Sequence, residues 1–130
     1  MQSQSIDPIS IVRLNVPNYS HGIHISGAEN WVQLSGQVGV APDGSVSDDF
    51  TEQCRQAFAN IGACLAEVSM GFDDIIMLRI FLTHREDLAD LRRARAEVFG
   101  ERRLPSTLVF VSGLVDPKWR VELEATAARS

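Results

Sequence analysis

Residues 75–82, with the sequence IIMLRIFL, decide the fold of this chain. The run is almost continuously apolar and rich in isoleucine, which is typical of a strand buried on both faces. Arg79 interrupts it, on the same face as Met77 and Phe81. A charge in such a strand must be paired or reach water, because an unpaired buried charge is costly. We predict that Arg79 pairs with another copy of the chain or extends to solvent; a role in a binding cleft is the alternative.

Two helices are predicted, one on either side of this strand in the sequence. The first spans residues 50–70, with an N-cap at Asp48 or Asp49 and Gly71 beyond its end. The second spans residues 86–99 and is closed by Gly100. Apolar residues that recur three and four positions apart mark the side of each helix that faces the core. The positions on that side are Phe50, Cys54, Phe58, Ile61, Leu65 and Val68 in the first helix, and Leu88, Leu91, Arg95 and Val98 or Phe99 in the second.

Other segments have strand patterns, and the first two of them predict a hairpin. They are residues 9–16, 21–26, 31–40, 107–113 and 119–126, and Gly36 ends or bulges the third. The order of elements predicts a single α+β domain over residues 1–130, with a mixed six-stranded sheet and two helices on one face. The uncovered apolar face of that sheet would most economically bury itself against a second copy, so we predict a homo-oligomer.

Composition excludes several classes of protein. The formal net charge of −5 argues against a nucleic-acid surface, which needs a basic stripe to neutralise phosphates. No apolar run reaches the roughly 20 residues of a membrane span, and the first residues lack the pattern of a signal peptide. Cys54 and Cys64 fall about 15 Å apart along one helix, so we expect free thiols and a cytoplasmic protein. His21, His24 and His84 show no metal-ligand spacing, and we expect no metal site.

Five stretches resemble the Rid family, also called YjgF/YER057c/UK114. They are SGQVGVAPDG (35–44), FTEQCRQAFANIGACLAEVSMGFDDII (50–76), FLTHREDLADL (81–91), LPSTLVFVSGL (104–114) and RVELEATAA (120–128). The resemblance covers residues 19–128 in the family's order and spacing. It implies a chorismate-mutase-like fold, a homotrimer with clefts between subunits, and hydrolysis of reactive enamines and imines to 2-oxo acids and ammonia. It implies neither a cofactor nor a metal.

The resemblance also marks site residues. Glu122 matches the family's water-positioning glutamate, although it is equally one of two outward carboxylates with Glu124. Tyr19 matches a tyrosine that lines the cleft, and the backbone of Ser35 and Gly36 could bind a carboxylate or amide, although Gly36 is as well explained by structure. The family's carboxylate-binding arginine falls on Thr107.

Thr107 cannot replace a guanidinium, since a hydroxyl carries no charge and one donor. Loss of such an anchor typically costs about 10² to 10³ in rate. Arg92, at a helix position that is often asparagine in the family, could supply the missing cation. It could equally belong to the solvated run RRAR of residues 92–95.

Three functions stay open. The first is a Rid-type enamine or imine deaminase with a non-standard substrate, and the second is a trimer that binds a small metabolite without catalysis. The third is the endoribonuclease activity ascribed to the family, against which the acidic balance counts. We expect the ligand in the cleft between two subunits, between the Thr107 strand and the Glu122 strand of one chain, with Tyr19 near the mouth. With only a neutral hydroxyl as anchor, binding should depend less on a carboxylate than it does in arginine-bearing relatives.

Overall fold

The computed structural model describes residues 1–14 and 16–130, which form two α-helices and eight strands. Two short 3₁₀ turns, Phe72–Asp74 and Arg85–Asp87, precede the sixth strand and the second helix. In chain order the elements are β1 (Gln2–Ile6), β2 (Tyr19–Ser20), β3 (Gly22–Ser26), β4 (Asn30–Gln33), β5 (Gln37–Val38), α1 (Phe50–Ala66), β6 (Ile75–Leu82), α2 (Leu88–Phe99), β7 (Leu104–Phe110) and β8 (Val121–Arg129).

The main sheet is mixed and six-stranded, as the sequence predicts. Its order is β2-β7-β6-β8-β4, with β5 also pairing with β8. β7 runs parallel to β6, and β8 runs antiparallel to it. The predicted α+β architecture, a mixed six-stranded sheet with two helices on one face, is therefore confirmed. β1 and β3 form a separate antiparallel pair.

Both helices pack on the sheet face formed by alternate residues of the three central strands. Leu78, Ile80 and Leu82 of β6 are buried there, together with Leu123 and Ala125 of β8. The opposite, open face of the sheet carries the residues between them: Met77, Arg79, Phe81, Thr107, Val109, Glu122 and Glu124. Within one chain β6 is thus buried on one face only, and its burial on both faces stays a prediction.

Arg79 extends toward solvent from this open face, with 46% of its side chain exposed. Its Nη1 lies 4.0 Å from Glu124 Oε2 of the same chain. Within one chain Arg79 therefore reaches solvent, and its pairing with another copy stays a prediction.

The predicted first hairpin was wrong in its first strand. β3 pairs with Gln2–Ile6, whereas residues 9–14 and 16 form no strand and Asn15 of that segment lies outside the described residues. Ile9, Ile11 and Val12 are exposed. β1 is mostly polar because all its residues are exposed. A strand exposed on both faces needs no alternation of apolar and polar residues, so the sequence pattern does not reveal it.

The predicted ends of several elements were also wrong. α1 begins at Phe50 under the Asp49 cap but ends at Ala66, because Ser69 turns the chain with a φ of 59° and leaves Val68 exposed. β7 begins at Leu104, three residues before the expected start, where its first residues pair with β2. β8 begins at Val121, since Trp119 belongs to a turn closed on the Asp116 carbonyl.

A buried polar network fixes the beginning of β8 against both helices. Gln53 of α1 accepts a hydrogen bond from the Arg120 backbone at 3.0 Å and donates one to the Lys118 carbonyl at 3.0 Å. The Arg120 guanidinium pairs with the buried Asp87 carboxylate, with Nη2 2.7 Å from Oδ2. Burial, and secondarily the charge of Asp87, raises the pKa of the neighbouring Cys54 thiol to about 12.

Candidate functional site

A cavity of about 610 Å³ lies between α2, β7 and the segment that leads into β2. β2 covers the edge of β7 only at Leu104 and Pro105, so the edge is open from Ser106 onward in the part of the chain that the structure describes. Its lining includes the predicted site residues Tyr19, Arg92 and Thr107. The structure therefore brings three of the six site residues predicted from the sequence to one cavity.

Arg95 is the most buried cation of this cavity, with 9% of the residue exposed. Its Nη1 donates to Ser106 Oγ at 3.2 Å, and its Nη2 donates to the carbonyls of Asn18 at 3.0 Å and Leu104 at 3.4 Å. All three acceptors are neutral, and Nε has no partner among the described residues. Burial, and secondarily the charge of Arg92, lowers the pKa of Arg95.

Arg92 lies one helical turn before Arg95 and is exposed. It forms no ion pair with any carboxylate of residues 1–14 or 16–130, whereas the adjacent Arg93 pairs with Asp90. Two neighbouring guanidiniums without a carboxylate between them create a positive potential at the cavity, in a protein whose net charge is negative. This end of the cavity therefore favours an anion.

Thr107 contributes to the cavity from the edge strand. Its neighbours Ser106 and Leu108 face the helices, so by strand alternation the Thr107 side chain faces the open side of the sheet. There it lies directly across from Arg79 in the register of β6. Thr107 and Arg92 thus flank the open edge of β7 from opposite faces of the sheet.

Tyr19 is held at the mouth of the cavity by the arginine that precedes β7. Arg103 Nε donates to the Tyr19 carbonyl at 3.2 Å, and Arg103 Nη2 lies 2.6 Å from Asp7 Oδ2. The backbone N–H of His21 donates to Asp7 at 3.0 Å, and this bond, more than the Arg103 charge, lowers the pKa of that carboxyl. The His21 ring meets Tyr19 edge-on, with centroids 5.4 Å apart.

Glu122, Ser35 and Gly36 form a second group on the other side of β6. Glu122 is half-buried on the open face, paired in register with Phe81 on one side and Val38 on the other. A Cβ built on Gly36 would stand 2.7 Å from Glu122 Cδ. The missing side chain of Gly36 therefore makes room for the Glu122 carboxylate, while Ser35 offers its carbonyl to Gln37 Nε2 at 3.1 Å.

The two groups are not neighbours within one chain. β6 lies between β7 and β8, so Thr107 and Glu122 are separated by two strand spacings, about 10 Å across the sheet. Within one chain these two strands therefore do not flank a common cleft, and the expected cleft between two subunits stays a prediction. Each chain carries three of the candidate residues at its β7 edge and the other three on the β8 side.

Known proteins with the same sequence features identify the family. The family model described as Endoribonuclease L-PSP matches residues 11–129. The RutC family protein YjgH from Escherichia coli is 36% identical over 71% of this chain and 72% of its own length. The chain belongs to the Rid family. A Rid family protein of unknown function from Yersinia pestis, YyfB, has the same fold, with a TM-score of 0.83 over 99% of this chain and 100% of that one, at 24% identity.

One Rid relative has a name that refers to an activity. TdcF from Escherichia coli, named provisionally as a reactive intermediate deaminase, is 26% identical over 84% of this chain and 88% of its own length. A crystal structure of TdcF with bound serine superposes with a TM-score of 0.72, at 25% identity, over 98% of this chain and 100% of that one.

The structure also reports on metals and membranes. Among the described residues, no group of three or more His, Cys, Asp or Glu side chains is placed to hold a metal ion. Neither described helix has the length and hydropathy needed to cross a bilayer.

Sequence reasoning placed Arg95 on the inner side of α2 but gave it no part in a site. Ser106 was likewise assigned no role. The spacing of Arg92 and Arg95 by three residues was the available signal, since it puts two cations on one helix face. A guanidinium facing the sheet among apolar residues needs acceptors there, and Ser106 and the carbonyls before β7 supply them.

Proposed function

We propose that this Rid protein hydrolyses a 2-imino acid, formed from its enamine tautomer, to a 2-oxo acid and ammonia. The observation that carries the proposal is the division of the site into two halves. Tyr19, Arg92 and Thr107 border the open β7 edge, Arg92 and Thr107 from opposite faces of the sheet, and Gly36 contacts Glu122 beyond β6. A second copy whose β8 side docks against this edge would bring Glu122 of the partner subunit to the cavity.

Such docking is heterologous, because the edge of one copy meets a different surface of the next, and closure makes a ring. A ring of three with three intersubunit clefts agrees with the uncovered face of the sheet, which exposes Val109 and half-buries Met77 and Phe81. Light scattering should give about three times 14.3 kDa, and a stable monomer would contradict the ring.

In the proposed reaction Arg92 binds the substrate carboxylate in place of the arginine that Thr107 replaces. Arg92 is suited to this because it is free of carboxylate partners among the described residues and borders the cavity. The partner's Glu122 holds a water against the C=N carbon and takes its proton as the C–O bond forms. The same carboxyl returns that proton to the nitrogen, which gives a carbinolamine. It then relays the hydroxyl proton to the nitrogen as the carbonyl forms and the C–N bond breaks, leaving the 2-oxo acid and ammonia. The Thr107 hydroxyl offers one hydrogen bond to the intermediate.

Subunit complementation tests this arrangement. We expect Arg92→Met and Glu122→Gln each to lower the rate of 2-oxo acid release by about 10² or more, since one removes an electrostatic anchor and the other a proton acceptor. Imino acids are generated in the assay by an amino-acid oxidase or a PLP-dependent dehydratase. Matched controls are Arg55→Met on the outer surface of α1 and Glu124→Gln, two residues along the same strand face; both should retain activity.

Mixing the two inactive variants after subunit exchange should restore activity in about a quarter of the clefts, since each cleft takes Arg92 from one chain and Glu122 from the next. A mixture as inactive as its components would refute the shared site. If Glu122→Gln and Glu124→Gln lower the rate of 2-oxo acid release equally, Glu122 does not have the role proposed for it.

A further inference from the structure

The cavity at the β7 edge is larger than the smallest substrate of the proposed reaction requires. Allowing about 30 Å³ for each non-hydrogen atom, the share of one water in the liquid, a three-carbon 2-imino acid fills roughly 180 Å³. The cavity has about 610 Å³. Most of it would stay unfilled by so small a molecule.

The remaining space has a polar end and an apolar end. Arg95 and Ser106 mark the polar end, where they contact each other. Leu88 lies seven residues before Arg95, about 10 Å along the axis of α2. Near it Leu108 and Ile80 present their side chains from the same face of the sheet. A molecule that spans the cavity therefore meets cations at one end and aliphatic side chains at the other.

The charge at the polar end is incompletely compensated. Arg95 is buried against three neutral acceptors, and Arg92 adds a second positive charge beside it. A buried cation normally has an anionic partner, because removing its hydration is costly. Since no carboxylate of the described residues pairs with either arginine, an anionic group of a ligand is the partner that this arrangement fits.

We infer that the site takes an amphipathic monoanion, with its carboxylate at Arg92 and an extended apolar chain along Leu88 and Leu108. In the reaction proposed above, on which the catalytic part of this inference rests, the substrate is a 2-imino acid with a long aliphatic side chain. The binding part is independent of turnover.

Calorimetric titration with stable 2-oxo acids tests the binding part. The series is pyruvate, 2-oxobutyrate, 2-oxohexanoate and 2-oxooctanoate, and the assembled wild-type protein is used. We expect Kd to fall about fourfold for each added methylene, as burial of that group predicts. The amide of 2-oxooctanoate should bind at least tenfold more weakly than the acid, and Arg92→Met should remove this difference.

Leu88→Ser supplies the complementary perturbation. Leu88 borders the cavity at its apolar end, so the substitution removes aliphatic surface there and leaves Arg92 in place. It should weaken the dependence of Kd on chain length while pyruvate binding persists. Val98→Ser, at a half-buried position of the same helix outside the cavity lining, is the matched control and should leave that dependence unchanged.

The outcomes separate the two proposals. If Kd falls steeply with chain length but the corresponding imines are not hydrolysed, the proposed function is overturned and the binding inference stands. If the imines are hydrolysed but Kd does not change with chain length, the inference is overturned and the proposed function stands. Equal affinity for acid and amide, or an unchanged dependence of Kd on chain length in Leu88→Ser, would also overturn the inference. If that variant unfolds, the wild-type series alone decides.

Discussion

Replacing Gly36 by alanine should impair the reaction and spare the fold. The new Cβ would lie 2.7 Å from Glu122 Cδ and 2.9 Å from both Cγ and Oε2. Ordinary contact begins at 3.4 Å, so the carboxylate must move by about 0.7 Å. Gly36 does not have a positive φ, and an alanine there carries no backbone strain. The clash falls on the flexible end of one side chain, so the displacement is confined to Glu122.

The expected kinetic effect follows from that displacement. A catalytic group misplaced by about 1 Å can cost 10² in rate, so Gly36→Ala should lower kcat by roughly 10- to 100-fold. Steady-state 2-oxo acid release measures the rate, and calorimetry with a 2-oxo acid should show unchanged affinity because the Arg92 end is untouched. Gly39→Ala is the contrasting variant: its Cβ would stand 2.5 Å from the Gln53 backbone oxygen, so it should lower Tm. The reasoning is refuted if Gly36→Ala keeps full activity while Glu122→Gln loses it.

Two further predictions concern the buried network. Asp87→Asn should destabilise the chain by about 3 kcal/mol, the lower end of the range for a broken buried pair, because the Arg120 side chain keeps 30% exposure. Urea unfolding measures this loss, and Glu97→Gln, which breaks an exposed pair, should leave the unfolding midpoint almost unchanged. With its pKa near 12, the Cys54 thiol should not react with a disulfide reagent at pH 8 until urea is added, so rapid labelling of both Cys54 and Cys64 in the native protein would contradict the assigned burial.

The central strands and both helices were predictable because their patterns report burial. In the run IIMLRIFL and in β8, the apolar positions are largely those whose side chains face the core, so the hydrophobic pattern predicts both strands. β1 was missed for the opposite reason. All five of its residues are exposed, so its pairing with β3 is fixed by the chain around it and by no apolar pattern of its own. The exposed residues 9–14 contain more apolar residues in a strand-like pattern than β1 does, and the first strand was predicted there for that reason.

The candidate site was predictable in its members and not in its arrangement. Arg92 and Thr107 were marked by chemistry and resemblance, and the structure brings them to one cavity. Strand order, however, is a long-range property, and sequence alone did not show that β6 separates Thr107 from Glu122. The buried contacts of Arg95 depend on the same long-range packing of α2 on β7.

The interior position of β8 has a consequence for the order in which this chain folds. Residues 121–129 pair with β6 on one side and with β4 and β5 on the other, so the sheet cannot close until these late residues are synthesised. At about 5 to 20 residues per second, the ribosome leaves β6 and the apolar face of α1 uncovered for several seconds. Pairing of such distant segments is also intrinsically slow. A chain stopped at Trp119 would carry that exposure permanently, because only β2, β7 and β6 of the main sheet would stay paired while β4, β5 and one edge of β6 would not. It would be a substrate for chaperones and proteases.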